Sequence, residues 1–454
     1  MAQWNKTTQD YLNQERTLHE VFMCADRYGN IGDCGVSTGI GGGGYDAFGR
    51  SRTSEPFTLA DYSHQYGLNE EILSKTVGSG STVEYLQNKA AASLLVGTGN
   101  TDYVVHQSRM YHHYMPGKSQ FALSSFNFNE VRENTVKRTG YFDDRNGVFV
   151  QQEGDGTVSL VRRDYVSGIA SDTVVNQSNW SLDTMNGVGI SSVSLDFTKT
   201  QLFATDFQWL GVGRIRCGFV IGGELIYCHE FNHSNEKEYV YWNQPSLPIR
   251  CEVRNTDTAV GITSMQQICS TVLSEGGYEE SGFEFSVGVT TAISLPGSNS
   301  APNHVKCVMA IRAKNEINGY PNRTTIRLTD LEILSTSAPC KFDVYRMPSS
   351  SNITGGTWVD FDGDYSGVQY NVGVSTNFNL TNAYSKTTGY ISANNPSGKQ
   401  ASGNINLSPS SAKKSYLAQN IDSDDSNIFA VVVQNLTANT ANEIYVAMQW
   451  RETR

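Results

Sequence analysis

A chain of 454 residues suggests about three domains and is long enough to bury a core without disulfides or metal. Charged residues make up only 17% and hydrophobic residues 38%, with 42 glycines against 11 prolines, a balance that suits a turn-rich β-protein. The formal net charge of −11 repels phosphate backbones and argues against nucleic-acid binding. No stretch reaches the roughly 20 apolar residues that would insert into a bilayer.

The N-terminus, Met-Ala-Gln-Trp-Asn-Lys, is polar and lacks the apolar core of a secretory signal, so synthesis and assembly in cytoplasm are expected. The cysteines, Cys24, Cys34, Cys217, Cys228, Cys251, Cys269, Cys307 and Cys340, are scattered singly. They read as reduced, mostly buried small hydrophobes.

In chain order, residues 7 to 23 form the best helix candidate, with Thr7 or Thr8 as cap and Leu12, Leu18, Val21 and Phe22 as a loose apolar stripe. A strand through Val21–Ala25, turning at Tyr28-Gly29-Asn30, competes with the end of that helix. Gly41-Gly42-Gly43-Gly44 reads as a hinge, and Asp46–Leu59 as an extended arm. The glycine run lacks a following Lys-Ser/Thr and a βαβ frame, so it is neither a P-loop nor a dinucleotide fingerprint. Glu84–Leu95 fits a short helix, and Ala90–Val96 fits a strand equally well. Strand patterns then dominate: Tyr103–Tyr111, Gln120–Phe128, Gly147–Gln152, Val158–Asp164, Val193–Phe197, Gln201–Leu210, Arg214–Ile221 and Glu224–His229. Gly154-Asp155-Gly156 and Gly222-Gly223 supply hairpin turns. Ile249–Arg254, Gln266–Ser274, Phe283–Thr290, Val305–Lys314 and Thr324–Ser335 follow. Beyond Pro348, strands are expected at Thr357–Asp360, Val368–Val372, Thr387–Ser392, Asn404–Leu407, Asn427–Leu436 and Glu443–Trp450.

The expected fold is therefore all-β. An N-terminal helix and extended anchoring arm (residues 1–66) precede a central β-sandwich or jelly-roll-like domain (67–346) and a smaller C-terminal β-sandwich (347–454).

One catalytic pattern stands out. His229-Glu230-Phe231-Asn232-His233 spells the H-E-x-x-H of zinc proteases, which works when a helix sets both imidazoles on one face. Here Leu225–Cys228 reads as a strand leaving a hairpin, and on a strand the two imidazoles lie about 13 Å apart, too far to share an ion. Asp360-Phe361-Asp362-Gly363-Asp364 starts like a calcium loop, but Gly363 is fourth and position twelve is Asn371, so a turn is expected. His112-His113 are adjacent and read as half-exposed sheet residues. The pairs Asp143-Asp144, Glu279-Glu280 and Asp424-Asp425 read as solvated turns, and no G-x-S-x-G elbow frames a nucleophile. Tyr239-Val240-Tyr241-Trp242 is the stretch that would make an exposed aromatic ridge. No catalytic, cofactor or metal-ligating residue is assigned, and the chain is expected not to be an enzyme.

Several segments resemble a family of virion structural proteins of tailed bacteriophages, especially marine and cyanobacterial ones. They are Asp46–Arg52 with Pro56–Leu59, Thr139–Asp143 with Asn146–Phe149, and Trp209–Val220 leading into Cys228-His229 and Phe231-Asn232-His233. Leu247–Arg250 and Gln267–Thr271 with Glu275–Tyr278 complete the set. The placing of Trp358 and Trp450 is similar to appended modules in such proteins. The resemblance implies a head, neck, tail or fibre component that contacts other virion proteins and forms a homo-oligomer, for which a trimer is one form. A receptor-binding adhesin for host surface glycan is the main alternative, and a zinc protease or depolymerase the third.

Overall fold

The computed structural model describes residues 56–279, 281–301, 303–372, 376–392 and 416–454, and the backbone of 23–25, 31–33 and 402–406. Residues 7–22 of the expected helix lie outside the described residues. Its last expected position, Met23, belongs to a strand, Met23–Ala25, paired antiparallel with Ile31–Asp33. This is the competing strand-and-turn reading of that segment.

Two antiparallel sheets form the first β-sandwich. One has seven strands in the spatial order Ser171–Asn176, Val158–Asp164, Gly147–Gln152, Thr135–Phe142, Ile249–Asn255, Tyr103–Ser108 and Ile72–Val77. The other runs Glu224–Phe231, Ile215–Ile221, Gln201–Phe207, Ser119–Asn127, Thr263–Glu275, Ala91–Val96 and Thr82–Leu86, with Phe57–Ser63 also on Thr263–Glu275. A single apolar cluster joins them, with Tyr141, Val148, Leu160, Ile249, Cys251 and Val253 from the first sheet facing Phe126, Phe203, Phe207, Phe219 and Met265 from the second. Because side chains alternate along a strand, the intervening residues stand on the outer faces.

The second sandwich packs a five-stranded sheet against a six-stranded one. Phe283–Gly288, Asn442–Thr453, Thr325–Ser335 and Ser402–Asn406 lie side by side in the former, with Ile293–Leu295 also on Asn442–Thr453. The latter runs Thr357–Asp360, Val368–Val372, Val305–Ala313, Ile428–Asn435, Cys340–Met347 and Tyr384–Ile391. Ile311, Leu331, Phe342, Val431, Met448 and Trp450 form its interior. Sheet membership thus changes between Glu275 and Phe283, well before the boundary expected at 346/347. Pro348 and the serines after it lie in an ordinary connection within the second sandwich, and loop composition there does not mark a break in strand pairing.

Local chemistry explains other differences. Glu84–Leu95 is no helix: Thr82–Leu86 and Ala91–Val96 pair as a hairpin, and Ala90 turns the chain with φ 47°. Val193–Phe197 is not a strand. It closes a loop in which both carboxylate oxygens of buried Asp183 accept backbone N–H groups, from Met185 (2.8 Å) and Ser191 (2.6 Å).

Candidate functional site

The histidines of the His229–His233 motif are held separately. His229 lies on the strand Glu224–Phe231, where its Nδ1 accepts the Ser181 N–H (3.1 Å) and its ring meets Phe231 edge-on at 4.5 Å. His233 lies beyond the strand's end. Its Nδ1–H donates to the Gly213 carbonyl (2.5 Å), and its ring stacks on Tyr241 at 4.2 Å. The chain then turns, with the N–H groups of Glu236 and Lys237 both reaching the His233 carbonyl. Among the described residues, no three His, Cys, Asp or Glu side chains gather as a metal site.

The Asp360–Asp364 loop already has a cation from within the protein. The Lys314 ammonium donates to the Gly363 carbonyl and lies 3.4 Å from Asp360 Oδ2. The expectation for His112 is corrected: it is fully buried, donating from Nδ1 to the Leu247 carbonyl (2.8 Å) and accepting the Tyr62 hydroxyl at Nε2 (3.0 Å). Asp143 is not a solvated turn residue either. It is 3% exposed and its Oδ1 caps the N–H groups of Arg145 and Asn146, both at 2.8 Å. Asp425 accepts from the Ser349 hydroxyl and the Ser350 N–H, which ties two loops, and Glu280 lies outside the described residues. The aromatic ridge is mostly core, since Tyr241 and Trp242 are buried and only Tyr239 among its rings is exposed. Among the described residues, Cys217, Cys228, Cys251, Cys307 and Cys340 are buried and form no disulfide, and Cys269 is exposed.

The densest charged arrangement stands on the outer face of the seven-stranded sheet. Ile249, Cys251 and Val253 point inward, so Arg250, Glu252 and Arg254 point outward. Glu252 is 2% exposed and accepts from Arg250 (2.6 Å), Arg138 (3.1 Å) and Arg254 (3.1 Å). Burial alone would raise its carboxyl, but Arg250, Arg138 and Arg254 outweigh burial and hold it at about 2. Beneath the guanidiniums lies an aromatic floor of Phe142 and Phe149, ring centroids 4.4 Å apart. Arg138 and Arg163 cover Phe149 at 5.5 and 5.2 Å, and Arg250 covers Phe142 at 5.4 Å. Strand register sets Phe149 beside Gly140 and Phe142 beside Gly147. A Cβ on Gly140 would come within 2.6 Å of Phe149 Cα and 2.8 Å of its Cβ, so glycine is the residue that fits beside Phe149 in this register. The Thr139–Phe149 segment is therefore a hairpin built to seat this floor.

A second concentration of polar groups forms the seam between the sandwiches. Glu71 and Arg346 form a bidentate pair (Nη2···Oε2 3.0 Å), and the Tyr384 hydroxyl donates to Glu70 (2.9 Å). Arg323 lies 3.6 Å from Asp143 and 4.1 Å from the Tyr111 ring, and Lys75 pairs with Asp422. Met110, Tyr416 and Ala418 close the seam as a small apolar cluster with Ala60 against it. The sequence reading missed both arrangements. The charged alternation Arg250, Glu252, Arg254 was the available signal for the first, whereas Glu71 and Arg346 are too far apart in sequence to be linked by pattern.

No family model matches the chain, and no curated protein sequence matches it. Solved structures with a similar arrangement include an uncharacterized protein from Mycobacterium paratuberculosis, at 12% identity over 47% of this chain and 99% of that one (TM-score 0.31). A protein of unknown function from Shewanella oneidensis MR-1 aligns at 8% identity over 51% of this chain and 92% of that one (TM-score 0.33). A glycoside hydrolase family 16 endo-glucanase from Bacteroides ovatus aligns at 8% identity over 47% and 99% (TM-score 0.32).

Proposed function

We propose that this chain is a structural protein of a tailed-phage virion, a two-sandwich building block assembled in the host cytoplasm and carried on the particle. The observation that supports this reading best is the seam. A bidentate ion pair, a tyrosine–carboxylate bond and a buried Tyr416 hold two sandwiches together, and a stiff body suits a part that must keep its geometry within an assembly. Stacked arginines over buried rings, as on the seven-stranded sheet, are the composition from which protein–protein contacts are commonly made. The partners in this reading are other virion proteins and further copies of the chain. Gold-labelled antibody against the protein, applied to purified particles in negative stain, is expected to decorate one symmetric location. Mature particles without the protein would overturn the proposal.

A second reading, an adhesin for host surface glycan, draws support from exposed tyrosines of the second sandwich, Tyr320, Tyr365, Tyr384 and Tyr390. Sugar rings stack on such faces. Glycan-array binding by the full chain that is lost in Tyr365→Ala and Tyr390→Ala variants would favour it over the first.

A further inference from the structure

The loop between Phe57–Ser63 and Ile72–Val77 passes from one sheet of the first sandwich to the other, and it carries the residues that grip the second sandwich. Asn69 organises it. Its side chain accepts the Glu71 N–H (2.9 Å) and donates to the Ser63 carbonyl (3.2 Å), and its carbonyl accepts the Ile72 N–H (3.0 Å). The Asn69 N–H itself donates to Nδ1 of His64 (3.2 Å). This turn presents Glu70 to Tyr384 and Glu71 to Arg346.

His64 is 1% exposed, and its ring lies 5.5 Å from that of His106, also 1% exposed. His106 Nδ1 is 2.8 Å from the Ser74 hydroxyl. The His64 ring also faces the buried Gln267 side chain, and Nε2 of His106 has no hydrogen-bond partner among the described residues. Because His64 Nδ1 accepts a hydrogen bond, the neutral ring carries its proton on Nε2, which leaves Nε2 no lone pair for a metal. The pair is thus not a ligand set, but it is sensitive to protons. Burial holds both imidazoles below their ordinary 6.5, and the neighbouring His64 adds to the effect on His106, which falls to about 3.

We propose that the His64–His106 pair is an acid-sensitive latch on the seam: a proton taken from solvent by His64 Nδ1 removes the acceptor of the Asn69 N–H and loosens the turn that clamps the second sandwich. Around His64, the packed elements contribute His106, Ser74 and Gln267, of which only His106 titrates. On the seam side, Glu71 faces Arg346, Arg109 and Tyr416, and Glu70 faces Tyr384 and Lys386. Glu71 is held below its ordinary 4.5, with the Arg346 contact outweighing burial, so its grip is lost only at lower pH. The proton linkage of His64 therefore sets in below its ordinary 6.5, before that of Glu71, which sets in only below its ordinary 4.5.

Hydrogen exchange on the full chain, corrected for the intrinsic pH dependence of exchange, tests this. Between about pH 7.5 and about pH 5.5, amides of residues 64–72 are expected to lose about tenfold in protection, since one pH unit below the ordinary imidazole value is one decade of proton linkage. The strand Ile249–Asn255 is expected to keep its protection. In His64→Asn, an amide oxygen replaces Nδ1 as acceptor without titrating, and the response is expected to vanish. In His106→Asn the response is expected to persist, because His106, held at about 3, stays neutral over this range and His64 alone accepts the Asn69 N–H. Equal protection of residues 64–72 at both pH values in the wild type, or a response that survives in His64→Asn, would overturn the latch.

Discussion

Glu252 shows how a single carboxylate organises a surface. Three arginines converge on it, and two of them also cover the phenylalanine floor, so charge pairing and ring packing depend on one another. Glu252→Gln keeps the shape and removes the charge, leaving Arg250, itself 2% exposed, with Asp144 (2.8 Å) as its remaining carboxylate. Breaking a buried pair from one side costs about 3–5 kcal/mol where the remaining charge is left uncompensated; with Asp144 still on Arg250, a smaller loss, of about 2–3 kcal/mol, is expected in urea unfolding at neutral pH. The carboxyl is depressed to about 2, so its contribution is complete above its ordinary 4.5 and fades only as pH falls through about 2. Buried histidines act at the other end of the acid range. Burial lowers His112 and His233 to about 4 each, so the unfolded chain takes up protons below 6.5 that the folded chain refuses. The urea midpoint is therefore expected to decline between 6.5 and 4.5 equally in wild type and Glu252→Gln. A difference in slope between them there would show that Glu252 titrates higher than its surroundings allow.

Among the elements, the hairpin at Gly222-Gly223 was plain in the sequence because both residues have positive φ, 62° and 87°, a turn that glycine enters without strain. Replacing the pair by Ala-Ala is expected to cost about 1–2 kcal/mol per residue, while Asn-Gly is expected to be nearly neutral, as read from thermal unfolding. The strands on either side, like Gly147–Gln152 and Val158–Asp164, announced themselves by apolar residues between clear turns. Other strands were hidden by their own chemistry. Thr135–Phe142 carries Lys137 on its inward side, buried because its ammonium donates to the Phe128 and Glu130 carbonyls, and no periodicity reports that kind of satisfaction. Ser171–Asn176 is an almost wholly exposed edge strand and shows no apolar alternation to read. The H-E-x-x-H motif was rejected on local context alone, because the hairpin before it fixes strand geometry whatever the letters after it spell.

At the scale of the whole molecule, all-β architecture and a second sandwich were legible from composition and turn spacing, but the dividing point was not. Cys340–Met347 pairs with Tyr384–Ile391 and Ile428–Asn435, partners that lie on the far side of a serine-rich connection. Such pairing depends on register and core volume over long separations, which local pattern does not encode. The same holds for the seam, where Glu71 meets Arg346 across 275 residues of chain. If that contact makes the two sandwiches one cooperative body, the wild type unfolds in a single calorimetric transition. Arg346→Ala leaves the Glu71 carboxylate, 16% exposed, facing the seam without its partner, a loss of about 3–5 kcal/mol for a buried pair and less in proportion to its residual solvent. Tyr384→Phe removes only an exposed hydroxyl contact and is expected to leave the transition single. In Arg346→Ala the endotherm is expected to split, with the second sandwich melting apart from the first. An unsplit endotherm at the wild-type temperature would mean that the apolar cluster of Met110, Tyr416 and Ala418 holds the sandwiches together without the ion pair.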